Sequence, residues 1–126
     1  MSEHPKTVCL DFDGVLAHYI HWKDGGIGEP NPEGVKLVRL LKANGYRVVV
    51  QSCRTSPVFG ADRAVEQTAA IGAWLAQHGI PVDEVVTEGK AVAHAYVDDR
   101  AVYFSPNRGP ASLAFAEIER MCGGVS

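Results

Sequence analysis

The stretch Thr7-Val8-Cys9-Leu10-Asp11-Phe12-Asp13-Gly14 decides how the rest of the chain is read. Val8, Cys9 and Leu10 form a short apolar run, of the kind found in strands buried on both faces of a parallel sheet. A strand is therefore expected over residues 7–11. Two carboxylates follow at its carboxyl end, two residues apart. In an open α/β sheet that edge is where ligands bind. Residues i and i+2 of an extended backbone point to the same side, so the spacing predicts that Asp11 and Asp13 face one small volume. Two like charges held that close call for a cation or a shared proton. The pattern points to metal-dependent or acid–base chemistry.

Outward from this strand the chain alternates. A loop or hairpin is expected up to about Glu29. Asn31-Pro32-Glu33 opens a helix, with Asn31 as N-cap and Pro32 in the first turn. Val35, Val38 and Leu41, joined by Leu37 and Leu40, give it an apolar stripe, and Asn44-Gly45 closes it. Residues 47–51 form a second buried strand. Pro57 and Gly60 make 52–60 a loop. Residues 61–78 read as a long helix that draws its buried side from Val65, Ala69, Ile71, Trp74 and Leu75. A third strand is expected over 82–86, a short helix over 90–94, a fourth strand over 95–97 and a short fifth over 101–104. A last helix spans 111–121. Strands alternating with helices through short loops imply right-handed crossovers and a mainly parallel sheet. The fold class is α/β, and residues 1–126 form one domain without repeat or linker.

The other strand ends supply partners for the first. Ser52 follows Val48-Val49-Val50-Gln51 and precedes Cys53 and Arg54. Lys90 follows the third strand and a Thr87-Glu88-Gly89 turn. Tyr96-Val97 runs into Asp98-Asp99, a further acidic strand end. Each motif alone is common. In this order, Asp-x-Asp-Gly, Ser, Lys and Asp-Asp over residues 6–105 resembles the haloacid dehalogenase-like superfamily of phosphohydrolases. The resemblance implies a three-layer, Rossmann-like α/β sandwich with the first strand central. It also implies Mg²⁺-dependent hydrolysis of phosphate monoesters through an aspartyl-phosphate. The intervals 13–31 and 52–90, where many members insert a cap domain, are short here, so a capless member is expected.

Roles follow from the same resemblance and suit the residue chemistry. Asp11 is the expected nucleophile, a carboxylate able to form an acyl phosphate. Asp13 suits the general acid–base, and equally suits a turn before Gly14. Ser52 is expected to donate to a phosphate oxygen and Lys90 to neutralise developing charge. Taken singly, Ser52 is an ordinary strand-end turn residue and Lys90 a solvated lysine. Mg²⁺ prefers carboxylates, carbonyls and water. Asp11, Asp98, the backbone carbonyl of Asp13, and Asp99 directly or through water are its expected ligands, with Asp98 the more important of its pair. Cys53 is expected beside the substrate or else filling core volume, and Arg54, Arg63 and Arg100 at the remote part of the substrate or else as ordinary surface arginines.

His18, Tyr19, His21 and Trp22 alternate with apolar neighbours in a way that predicts a hairpin turning at Asp24-Gly25-Gly26. It reads as a flap over the substrate or as a hairpin packed on the sheet. His18 and His21 lack further ligands at zinc spacing.

Composition narrows the function classes. Hydrophobic residues at 46% and charged residues at 21% are ordinary for a soluble globular domain. No apolar run is long enough to span a bilayer, and the first residues lack a signal-peptide pattern. Three cysteines, Cys9, Cys53 and Cys122, have no metal-ligand spacing. A reducing, cytoplasmic setting is expected. Asp11, Asp13, Asp98 and Asp99 carry four negative charges against a net of −3, so the rest of the chain sums to +1. No basic track marks a polynucleotide surface. A phosphorylated sugar or similar ester is therefore ranked above a nucleic-acid end or phosphoprotein. Without a cap, water exclusion falls to the substrate, to the hairpin, or to a partner subunit of an oligomer.

Two alternatives from other classes stand beside this reading. A receiver-like phosphorylation switch would need an Asp after the middle strand, and none follows Val50-Gln51. A catalytically silent phosphate-binding module would usually lack one of the key groups, and all are present.

Overall fold

β1 (Thr7–Asp11) and β2 (Arg47–Gln51) each bury three consecutive residues, Val8-Cys9-Leu10 and Val48-Val49-Val50. A strand apolar on both faces is stable only inside a sheet. The two pair in parallel from Thr7↔Arg47 to Asp11↔Gln51. β3 (Glu84–Val85) joins the far side of β2, and β4 (Ala95–Val97) joins the far side of β1, both in parallel. The order is β3-β2-β1-β4. The architecture comes from a computed structural model that describes residues 6–20, 25–87, 91–105, 107 and 109–122. Among the described residues it is α/β, with an all-parallel four-stranded sheet flanked by three α-helices.

α1 (Pro32–Ala43) starts as its sequence dictates. The Asn31 side chain accepts from the Glu33 N–H, and Pro32 fills the first turn. α2 (Ala61–Gln77) buries Ile71, Trp74 and Leu75, whereas Val65 is 71% exposed, so its apolar stripe begins later than expected. Crossovers β1→β2→β3 run in one direction, and right-handedness keeps α1 and α2 on one face. That face holds the core: Val8, Leu10, Val48 and Val50 from the sheet, Val38 from α1, and Ile71, Trp74 and Leu75 from α2. Alternation turns Cys9 and Val49 to the opposite side. α3 (Ala111–Cys122), after β4, contributes no buried residue and leaves Leu113, Phe115 and Ile118 exposed.

The periphery differs from the expectation in three places. β3 is two residues long rather than 82–86, because the side chain of Asp83 takes over at its start. Asp83 Oδ2 accepts from the Val48 N–H at 2.7 Å and from Lys42 Nζ at 2.7 Å. The lysine holds the Asp83 carboxyl below its ordinary range, against an opposing pull from burial. Residues 91–94 form no helix. Instead His94 continues the β4 seam, donating its N–H to the Thr7 carbonyl and accepting the Thr7 N–H on Nδ1. Residues 101–104 form no fifth strand, so β4 is a sheet edge among the described residues.

The segment after Gly14 has the base of the expected hairpin. His18 N–H donates to the Glu29 carbonyl, Asn31 N–H to the Leu16 carbonyl, and Ala17 bridges Pro30 in antiparallel. Trp74 Nε1 fastens this base to α2 by donating to the Gly28 carbonyl at 3.1 Å. His21, Trp22 and Asp24 lie outside the described residues. No cap domain is present among the described residues, and no described helix is long and apolar enough to cross a membrane.

Candidate functional site

In the order β3-β2-β1-β4 the chain's progress across the sheet reverses between β1 and β4. The crevice outside the carboxyl ends of two such strands is where open α/β sheets bind ligands. Leu10 is in register with Val97, so the next residues, Asp11 and Asp98, leave the sheet side by side. Asp11, Asp98 and Asp99 each offer a carboxylate oxygen, and these oxygens lie within 4.8 Å of one another. Asp11 is half-buried and the other two are exposed. Burial first, then the charges of Asp98 and Asp99, push the Asp11 carboxyl up to about 6. Three hard oxygen donors around one small volume are a donor set that fits Mg²⁺.

Beyond Asp11 the backbone leaves the sheet. The Phe12 N–H still reaches the Gln51 carbonyl, but the Phe12 carbonyl accepts from the N–H groups of Leu16 and Ala17, and its ring enters the core. Gly14 turns this loop with φ +90°, a conformation that L side chains rarely adopt. A Cβ at this position would run into the carboxylate of Asp99. Gly14 is therefore the point where the β1 loop and the β4 loop touch.

The turn separates the two carboxylates that simple alternation sends to one volume. The Asp13 carboxylate lies toward the end of β2, where its Oδ2 accepts from Arg54 Nε at 2.8 Å and from Ser52 Oγ at 3.3 Å. The Arg54 and Asp13 side chains are 14% and 12% exposed, so the ion pair is largely dry. Oδ1 of Asp13 is buried without a partner among the described residues. Asp13 still contributes the smallest of the three charges that raise Asp11. Its carboxylate is not a member of the acidic cluster.

Ser52 is held as precisely placed strand-end residues usually are, by its own loop. Its Oγ accepts the Arg54 N–H at 3.1 Å and caps the 3-10 turn Cys53–Thr55. Thr55, 2% exposed, ties that turn down through Oγ1 contacts to the carbonyls of Ser52 at 3.0 Å and Val86 at 3.2 Å. Sequence reading missed Thr55. Its one signal was a β-branched hydroxyl residue in a polar turn between two buried strands. Cys53 is exposed beside Ser52. Arg100 donates its backbone N–H to Asp98 Oδ1 at 2.8 Å and lays its guanidinium over the Tyr19 ring, 4.9 Å from the centroid. Hairpin flank and β4 loop are joined by that contact. Arg63 is exposed on α2, and Lys90 lies outside the described residues.

No family model matches the chain, and no curated protein matches it. Among solved structures it is similar to a conserved protein from Bacteroides thetaiotaomicron, with 21% identity and a TM-score of 0.54. That match covers 98% of this chain and 94% of the other. A second match is a chain of the Pnkp1/Rnl/Hen1 complex, with 17% identity and a TM-score of 0.46, covering 95% of this chain and 35% of that one. The first likeness is one of fold.

Proposed function

We propose that this chain is a Mg²⁺-dependent phosphomonoester hydrolase of the haloacid dehalogenase-like type, working through an aspartyl-phosphate on Asp11. One observation carries the reading. Asp11, Asp98 and Asp99 converge within 4.8 Å at the point where strand order reverses, on the strand end that also carries Asp13 and its Ser52–Arg54 grip. Asp11 and Asp98, with Asp99 and the Asp13 carbonyl, would hold Mg²⁺. Bound there, the ion would neutralise charge between a carboxylate nucleophile and an anionic phosphoryl group.

The chain's own residues supply the rest. An Asp11 carboxylate oxygen attacks phosphorus as the bond to the leaving oxygen breaks, and Asp13 gives that oxygen its proton. Water then attacks the phosphorus, Asp13 takes its proton, and the bond between Asp11 and phosphorus breaks. Ser52 Oγ turns its single O–H from Asp13 Oδ2 to a non-bridging oxygen, and Lys90 takes the cationic role given to it by its motif. A phosphorylated sugar or similar ester is the favoured substrate, because the charge outside the four aspartates sums to +1 and a long polyanion needs a basic track. Release of inorganic phosphate from an aryl phosphate, present with Mg²⁺ and absent with chelator, is the direct test. A folded, Mg²⁺-loaded protein inert toward a broad panel of phosphate esters would instead indicate a silent binding module.

Two substitutions probe the parts. Asp13→Asn should slow esters with poor leaving groups by about 10²- to 10⁴-fold, the usual worth of a placed acid, and spare the first step for activated aryl esters. Acid-quenched samples should then contain trapped phosphoenzyme. An equal loss across leaving groups, with nothing trapped, would reduce Asp13 to a turn residue. Gly14→Ala combines a disfavoured φ with a collision against Asp99. Backbone strain of this kind costs about 1–3 kcal/mol, so Mg²⁺ affinity should drop roughly tenfold or more. Calorimetric titration showing unchanged affinity would mean that Asp99 plays no part in holding the ion.

A further inference from the structure

Asp13 uses its two carboxylate oxygens unequally. Oδ2 accepts both side-chain bonds, from Arg54 Nε and Ser52 Oγ, whereas Oδ1 is buried with no partner among the described residues. A buried carboxylate oxygen without a donor is costly, and a free carboxyl would rotate to relieve it. The Arg54 bond opposes that rotation. Arg54 is itself fixed: its side chain is 14% exposed, and its backbone N–H is bound to Ser52 Oγ at 3.1 Å. Ser52 in turn is tied down by Thr55. A rigid chain of contacts thus runs from the end of β2 to one oxygen of Asp13 and fixes the plane of its carboxyl group.

We propose that Arg54 is a positioning residue for Asp13, fixing the carboxyl group through Oδ2 in the orientation from which Asp13 serves the leaving-group oxygen. The inference rests on the phosphohydrolase reading above. In the first step the Asp13 proton passes to the leaving oxygen as that oxygen's bond to phosphorus breaks and the Asp11–phosphorus bond forms. The carboxylate left behind keeps its charge-assisted bond to Arg54. In the second step a proton from the attacking water returns to Asp13 as the Asp11–phosphorus bond breaks. Positioning of this kind matters because a small misplacement of an acid is expensive in rate. It also assigns the arginine to a group inside the protein rather than to the remote part of a substrate. Lysine cannot replace it, since the role needs a fixed planar donor and not only a charge.

The test compares 4-nitrophenyl phosphate, which needs little protonation, with methyl phosphate, which needs it fully. In Arg54→Ala the ratio of kcat on the methyl ester to kcat on the aryl ester should fall about 10- to 100-fold, a portion of the full worth of general acid catalysis. Arg54→Lys should leave most of that deficit in place. In the Asp13→Asn background Arg54→Ala should produce no further fall in the ratio, because the group it positions is gone. Equal losses on both esters, or full recovery with Lys, would overturn the inference and leave the phosphohydrolase reading intact. Wild-type protein inert toward both esters would reject that reading and the positioning role together. Folding of each variant is read separately by its thermal midpoint, and Arg54→Gln, which keeps the volume, replaces Arg54→Ala if the latter unfolds.

Discussion

Asp11→Asn is expected to fold, to bind phosphate esters and to turn none of them over. Removing a nucleophile that acts as one unit with its partners commonly costs on the order of 10⁴- to 10⁶-fold in kcat. The fold should survive for an electrostatic reason. In the metal-free protein Asp11 is raised to about 6 by burial and by Asp98 and Asp99, so its charge is unfavourable where it sits. Asn keeps the shape, removes that repulsion, and should raise the thermal midpoint of the metal-free protein at neutral pH. Activity and stability are thus predicted to move in opposite directions. Turnover assays, trapping of phosphoenzyme and thermal melts on one preparation would check both. Substantial turnover by folded Asp11→Asn, or labelled phosphate still attached to it after acid quench, would sink the covalent mechanism.

Mg²⁺ should stabilise the protein strongly at neutral pH and hardly at all in acid. Because the folded-state pKa of Asp11 lies above its ordinary value of 3.8, the native metal-free protein binds more protons than the unfolded chain between 3.8 and about 6. Its stability from this group is full below that window and is lost as pH rises through about 6. A bound cation reverses the balance by favouring the ionised carboxylate. Below about 6 it must displace a proton, so affinity should fall about tenfold per pH unit there and level off above. At a concentration one hundred times its Kd, Mg²⁺ contributes about 2.7 kcal/mol, which for a domain of this size shifts the midpoint by roughly 10 °C. Melts at pH 5 and pH 7.5, each with Mg²⁺ or chelator, distinguish the cases. An equal shift at both pH values would exclude Asp11 from the metal site.

Much of this site was legible in residue order, and the failures have identifiable causes. Val8-Cys9-Leu10 and Val48-Val49-Val50 are buried on both sides, and such runs leave few alternatives to a central parallel strand. Asp11, Ser52, Asp98 and Asp99 could then be assigned to strand ends directly. Asp13 was misjudged in its company, because period-2 alternation holds only while the chain is extended. The Phe12 carbonyl draws the next residues into a turn, and Asp13 faces Ser52 and Arg54 rather than the acidic cluster. The Arg54 pair is invisible to any periodicity, since it joins residues of two loops. Residues 101–104 have strand-like composition without strand pairing, and Asp83 ends its ladder early with a side chain that mimics a backbone acceptor. Local pattern fixes the interior of the sheet better than its borders.

The seam between β1 and β4 carries a consequence for how the molecule comes apart. It is three residue pairs long, and it joins segments 87 residues apart in a chain of 126 (95 − 8 for Val8↔Ala95). Closing so large a loop is entropically expensive, and contacts of such separation form late on the way to the native state. The acidic cluster is therefore assembled only when this seam closes. An ion held jointly by Asp11 and the Asp98–Asp99 pair would act across that seam as a removable crosslink, one that is absent from the folding transition state. Interactions of that kind slow unfolding without hastening folding. The acidic cluster would then set the lifetime of the native protein, and depletion of the ion would shorten that lifetime before any other part of the sheet had changed.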